Sequence, residues 1–206
     1  FDVIEEKKSG ISEVEYGEVK ILEHVSGFKK IKFNTSENIG FGDVVLPDNE
    51  MHTSSYWFTP DRSLQNDLKL SRSEFIDGLM GIGNVIHHIC TLLLMCDTRD
   101  IGIVTGDKSA KWFLRMQKED DQYLVETGIE EKMKIDYLDN FDPTLFIYDS
   151  YPGGIGFSEK LFDNHRKILN DAVKIIQNCE CSEGCPGCVG PADEFTSSPK
   201  ENSINI

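Results

Sequence analysis

Phe146-Ile-Tyr-Asp149-Ser-Tyr-Pro-Gly-Gly-Ile-Gly156-Phe157 and, one helical run later, Cys179-Glu-Cys181-Ser-Glu-Gly-Cys185-Pro-Gly-Cys188 dominate the last third of the chain. The four cysteines fall within ten residues, spaced C-x-C-x3-C-x2-C. Zinc takes four tetrahedral ligands and accepts thiolate readily, so Cys179, Cys181, Cys185 and Cys188 suffice for one closed site. Pro186 and Gly187 favour a tight turn inside the second pair, and Gly184 relieves crowding before it. A site closed by four cysteines is structural rather than catalytic. An iron–sulfur cluster is the main rival, since it uses the same donors and a proline follows Cys185. Free thiols are the plain alternative. Disulfides fit poorly, because Cys179 and Cys181 are too close to bridge comfortably and nothing points to secretion.

Upstream of the cysteines, residues 144–148 read as a buried strand running through Asp149 into a Pro152-Gly153-Gly154 turn. Two glycines after proline permit positive φ and a close backbone approach. Strand, glycine turn and helix have the outline of a phosphate loop. The pattern G-x-x-x-x-G-K-[ST] is missing, which rejects a Walker nucleotide site. Ser158 is expected to cap the next helix. Leu161, Phe162, Ile168, Leu169, Ala172, Ile175 and Ile176 give that helix an apolar stripe and carry it straight into Cys179.

The strongest helix signal lies over 72–95, where Phe75, Leu79, Ile82, Ile86, Ile89, Cys90, Leu93 and Leu94 recur at three- and four-residue steps. Ser71 or Ser73 can cap its start. Gly78, Gly81 and Gly83 cost about 1 kcal/mol each relative to Ala, which predicts close approach of another backbone. His87 and His88 are adjacent and point to different sides, so neither reads as a metal ligand. Asp97, Arg99 and Asp100 read as a cap and turn network before a short strand at 101–104. Cys90 and Cys96 read as packing residues.

The N-terminal third is β-rich. Residues 1–9 are expected to fray. Residues 14–33 read as a hairpin turning at Ser26-Gly27, with Lys29, Lys30 and Lys32 on a solvated face. Residues 34–42 read as a loop, Val44 to Leu46 as a short apolar run stopped by Pro47, and 51–58 as a further strand in which His52 is structural. In the middle, Lys108, Lys111, Arg115 and Lys118 have helical spacing beside Trp112, Phe113 and Met116. That run is read first as a solvated face and second as a phosphate contact. Residues 119–142 are acidic and irregular, and the chain beyond Cys188 is expected to be loose.

With 206 residues and 39% hydrophobic content, the chain is read as one domain over 1–206, with a β-rich part at 1–60 and a core at 72–190. The expected class is α+β: a small mixed β-sheet packed by two long helices, with a C-terminal four-cysteine zinc site. The net charge of −15 argues against strong nonspecific binding of nucleic acid. No apolar run reaches the ~18 residues a membrane span needs, so no membrane partner is expected. Unpaired cysteines fit a reducing cytoplasm. The start at Phe1 points to a piece of a longer protein.

Three features in order carry a resemblance: a helix ending in Met95-Cys-Asp-Thr-Arg-Asp-Ile-Gly102, the strand and Tyr-Pro-Gly-Gly-Ile-Gly turn over 146–156, and a helix entering Cys-x-Cys-x3-Cys-Pro-x-Cys. Together they resemble the C-terminal zinc-binding (MZB) domain of MrfA-type DNA-repair helicases. The resemblance implies that Cys179, Cys181, Cys185 and Cys188 are the ligands of a structural Zn2+. It implies a role as accessory domain of an ATP-dependent superfamily 2 helicase of 3′–5′ polarity, in which the motor domains of the same parent chain bind ATP and Mg2+. By itself the fragment would be non-catalytic and bind DNA weakly. Because such domains also occur in phage-defence proteins, an interaction module of a multi-subunit repair or defence complex is the alternative. A free-standing enzyme using Asp97, Asp100, Asp149 and His87 or His88 is the third reading, and no spacing assembles these groups.

Overall fold

A computed structural model describes residues 1–10, 12–25, 27–33, 35, 37–107, 142–191 and 199–206. Its main sheet has the strand order β1-β2-β5-β7-β6, from β1 (Asp2–Ser9), β2 (Ser12–Glu23), β5 (Asn49–Pro60), β7 (Pro143–Asp149) and β6 (Ile101–Asp107). Every registered pair is antiparallel, which narrows the expected mixed sheet to an antiparallel one within an α+β fold. A separate ribbon joins β3 (Gly27–Ile31) to β4 (Asn38–Asp43). The helices are α1 (Arg62–Leu68), α2 (Arg72–Leu94), α3 (Phe157–Asp163), α4 (His165–Asn178) and α5 (Pro199–Asn205).

Side-chain alternation gives the sheet two distinct faces. Val14, Tyr56, Phe58, Leu145 and Ile147 join the core that α2, α3 and α4 cover. Trp57 and its cross-strand partner Phe146 face the other way, with ring centroids 5.6 Å apart. Phe1 sits edge-on to Trp57 at 5.4 Å. The N-terminus therefore does not fray: β1 pairs along β2, because a strand edge with unused backbone groups gains from a partner.

The expected hairpin over 14–33 is also corrected. β2 pairs with β1 and β5, and β3 pairs with β4, so residues expected to be a loop supply β4. Residue-level β propensity located β2 and β3 but missed β4, and pairing partners depend on contacts distant in sequence. The Ser26 half of the expected turn lies outside the described residues, as does the basic run Lys108 to Lys118.

α2 begins at a capping box in which Ser71 Oγ accepts the Glu74 amide and Glu74 accepts the Ser71 amide. It is long and apolar enough by composition to cross a membrane, and here it is the core helix. Its glycines make room for other elements, by side chains at Gly81 and Gly83 and by both side chain and the expected backbone at Gly78. A Cβ at Gly78 would lie 2.4 Å from Ile206 Cδ1, and one at Gly81 would lie 2.2 Å from Ser203 Oγ. Ser203 Oγ donates to Gly78 O at 2.9 Å. The C-terminal end is therefore docked on α2, not loose.

The single helix expected after Ser158 is two. α3 ends at Asn164, whose side chain donates to Lys160 O, and α4 restarts at His165. His165 is buried between Tyr56 and Phe58, its Nδ1 in hydrogen-bond contact with Tyr56 Oη at 2.5 Å. Burial, helped by Lys7 and Arg166, lowers its pKa to about 4.

Candidate metal centre

The cysteine loop leaves the C-terminus of α4 at Cys179 and folds back under α2. Its sulfurs lie 3.5 Å apart for Cys179–Cys181 and Cys181–Cys188, and 3.6 Å apart for Cys179–Cys185 and Cys185–Cys188. All four donor atoms lie within 4.8 Å of one another. A tetrahedron of thiolates around one zinc at about 2.3 Å has edges of about 3.8 Å. A disulfide would bring two sulfurs to about 2.05 Å. An iron–sulfur cluster spreads its thiolates over several irons, which a cage this small cannot enclose. The donor set therefore fits one soft divalent ion, with no position left for substrate.

The loop is shaped for this grouping. The amides of Cys188 and Gly190 both donate to Cys185 O, at 2.9 and 3.1 Å. Gly184 and Gly190 take φ of +144° and +102°, which other residues rarely adopt. Burial pushes the Cys188 thiol up to about 12, while the Cys181 amide, first among several hydrogen-bond donors, lowers Cys179 to about 7. A bound cation would hold all four as thiolates, so loading the site releases protons.

Three side chains that sequence reasoning missed fix the loop from outside. Asn84 Nδ2 donates to Cys188 O at 2.5 Å, and His88 Nε2 lies 3.0 Å from Pro186 O. They stand one turn apart on α2, and Gly81 on the same side meets Val189. Lys200 Nζ, on α5, donates to both Cys179 O and Cys181 O at 2.6 Å. Polar residues four apart on an apolar helix were the available signal for Asn84 and His88. Lys200 had no local signal, because its partners lie about twenty residues away.

The glycine turn after β7 closes on itself. Asp149 Oδ2 accepts the amides of Ile155 at 2.7 Å and Phe157 at 3.2 Å. Oδ1 accepts the Ser158 amide at 2.9 Å and the Ser158 hydroxyl at 2.6 Å. Gly156, with φ +84°, is the N-cap of α3, so the cap expected of Ser158 is supplied by Asp149. The chain's own carboxylate thus occupies the place a phosphate would take, which makes Asp149 architectural.

The other candidate groups are spent separately. Asp97 and Asp100 form a capping box around the 3-10 turn Thr98–Asp100, and Asp100 accepts from Tyr151 Oη at 2.6 Å. His87 Nε2 lies 2.9 Å from Thr98 O and 3.1 Å from Ile101 O. His52 is exposed and meets Glu50 at 3.2 Å. Cys90 is fully buried, its thiol pushed up to about 12 by burial, as a packing residue should be.

The family profile described as MZB, MrfA Zn-binding domain, matches residues 82–189. The chain belongs to the MrfA Zn-binding domain family. The MZB match spans α2 from Ile82 through the cysteine loop, the same stretch that builds the sulfur cage. Relatives place the domain in larger proteins. The chain is 34% identical over 184 residues to "Uncharacterized ATP-dependent helicase YprA" of Bacillus subtilis (strain 168), covering 89% of this chain and 20% of that protein. It is 40% identical over 62 residues to "ATP-dependent helicase HRQ1" of Saccharomyces cerevisiae, covering 29% of this chain and 5% of that one. Among solved structures, the DUF1998 helicase MrfA bound to DNA matches at TM-score 0.68 and 31% identity, over 99% of this chain and 23% of the MrfA chain. The chain thus spans about a fifth of the YprA and MrfA chains. It is similar in sequence to parts of YprA and HRQ1, and in sequence and fold to part of MrfA.

Proposed function

We propose that Cys179, Cys181, Cys185 and Cys188 are the ligands of one structural Zn2+, and that the chain is the accessory domain of an ATP-dependent superfamily 2 DNA helicase acting 3′–5′ in DNA repair. The observation that carries this reading is the sulfur cage, sized for one ion and seated on the core helix α2. In this role the domain braces the motor domains of the same polypeptide and helps to shape the DNA path. ATP and Mg2+ belong to the motor. DNA is met through the whole protein, since a domain of net charge −15 repels a phosphate backbone by itself. A reducing cytoplasmic setting accords with six cysteines none of which is disulfide-bonded.

Metal analysis of the purified chain, together with unwinding assays on the full-length protein, tests the proposal. The expected results are one zinc per chain, no ATP hydrolysis by the chain alone, and loss of unwinding in full-length Cys185→Ser. Purified chain without zinc, or with the absorbance of an iron–sulfur cluster, would overturn it. A second reading, an interaction module of a multi-subunit repair or defence complex, is favoured by one observation: the apolar ribbon β3–β4 is exposed.

A further inference from the structure

β2 and β5 pair without interruption from Ser12↔Pro60 to Glu23↔Asn49. A tight turn after Glu23 would have joined them. Instead the chain runs out into β3 and β4, which pair with each other and lean on no third described element to a comparable extent. A two-stranded ribbon with no core beneath it is at best marginally stable alone.

This ribbon is also apolar. Phe28, Ile31, Phe33, Ile39, Phe41 and Val45 are all exposed, Phe41 by 70% and Phe33 by 98%. Single exposed apolar residues are ordinary, but a cluster on one projection marks a binding surface. Both faces take part. The Phe28 ring lies over Gly42, where a Cβ would come within 2.6 Å of it, and Phe41 stands opposite Lys29 on the other face.

Charge decides between kinds of partner. Lys29, Lys30 and Lys32 are matched in number within the same excursion by Glu37, Asp43 and Asp48. No surplus of cations is left to hold a phosphate backbone, and the whole chain is acidic. Aromatic and aliphatic side chains with a balanced charged rim match the interior of a protein–protein contact. The B. subtilis relative and the MrfA chain each carry a matching region within a single polypeptide roughly four to five times longer than this chain. A large protein body thus lies within reach of the ribbon by covalent connection.

We propose that the β3–β4 ribbon is a docking arm that packs its apolar faces onto the helicase body of its own longer polypeptide. This rests on the reading of the chain as a helicase domain. The full-length protein tests it, with a photo-crosslinking amino acid at position 41 or 33 and a control at Lys20 on β2. Intrachain cross-links from 41 and 33 to the motor region, absent from the control, are expected. The double variant F41S/I39S should raise amide exchange across 27–43 at least tenfold while zinc content stays at one per chain. Should that variant misfold, Phe33→Ser serves, since its side chain has almost no contact to lose within the domain. Cross-links only to a second copy, to added DNA or to a separate protein would overturn the arm, as would none at all. If they fail while the full-length protein binds zinc and unwinds DNA, the functional reading stands and the arm alone is wrong. If the full-length protein carries no motor and unwinds nothing, both fall.

Discussion

Two turns rich in glycine and proline follow core elements of this chain, and they are completed in opposite ways. After β7, the turn over 150–156 is closed by Asp149, whose carboxylate accepts three amides and a hydroxyl from its own chain. After α4, the loop over 179–190 gathers four sulfurs whose partners are one another and a few backbone amides. A thiol is a weak hydrogen-bonding group, so a cage of thiols gains little until a cation converts it to thiolates. The first turn is finished by the sequence alone. The second needs something the sequence does not encode.

The largest test of that contrast is metal removal. Chelation, or Cys185→Ser, should unfold the cysteine loop and undock α5, with a loss on the order of 10 kcal/mol in metal-coupled folding energy. Thermal unfolding with and without chelator, alongside zinc content, measures this. Asp149→Ala should cost about 3–5 kcal/mol, because buried amides lose a charged acceptor, yet it should leave zinc stoichiometry at one. Loss of zinc in that variant would show that the two turns are a single cooperative unit.

Acid separates the regions further. His165 is held neutral by burial, with a folded pKa of about 4 against an ordinary 6.5. The unfolded chain therefore takes up its proton first. The stability tied to this group is complete above pH 6.5 and drains away as pH falls towards 4, by on the order of 1–3 kcal/mol. Urea unfolding at pH 7 and pH 5 should show that slope in the wild type and a flatter one in His165→Phe.

The smallest effect concerns the clamp around the cysteine loop. Lys200→Met and Asn84→Ala should each leave the fold intact and weaken zinc by about 10- to 100-fold, the usual result of losing groups that orient ligands. Competition with a chromogenic chelator reads this directly. No change for either variant would mean that the loop needs only its glycines to hold its shape.

Legibility followed sequence distance. α2, its cap at Ser71, the close approach at its glycines and the strands β5, β6 and β7 were readable, because periodicity and capping act over a few residues. The grouping of the four cysteines was readable because their sulfurs share one short loop. The pairing of β1 with β2 was not, nor the break at Asn164, nor the docking of α5. Each depends on a surface assembled from distant segments. The partners of Asn84, His88 and Lys200 escaped for the same reason: the polar spacing of Asn84 and His88 on α2 marks a contact without naming the cysteine-loop carbonyls that receive it, and Lys200 has no local signal at all.

By itself the sequence determined an apolar core helix, a buried strand running into a glycine turn, and a cluster of thiols fit for one ion, because local spacing dictates which side chains share a face or a turn. Only the tertiary structure decided that Asp149 fills the glycine turn after β7, that Lys200 and α2 both grip the cysteine loop, and that the β3–β4 ribbon stands clear with its apolar faces uncovered. Those outcomes depend on which surfaces meet across long stretches of chain, where desolvation and hydrogen-bond geometry, not residue spacing, choose the partner.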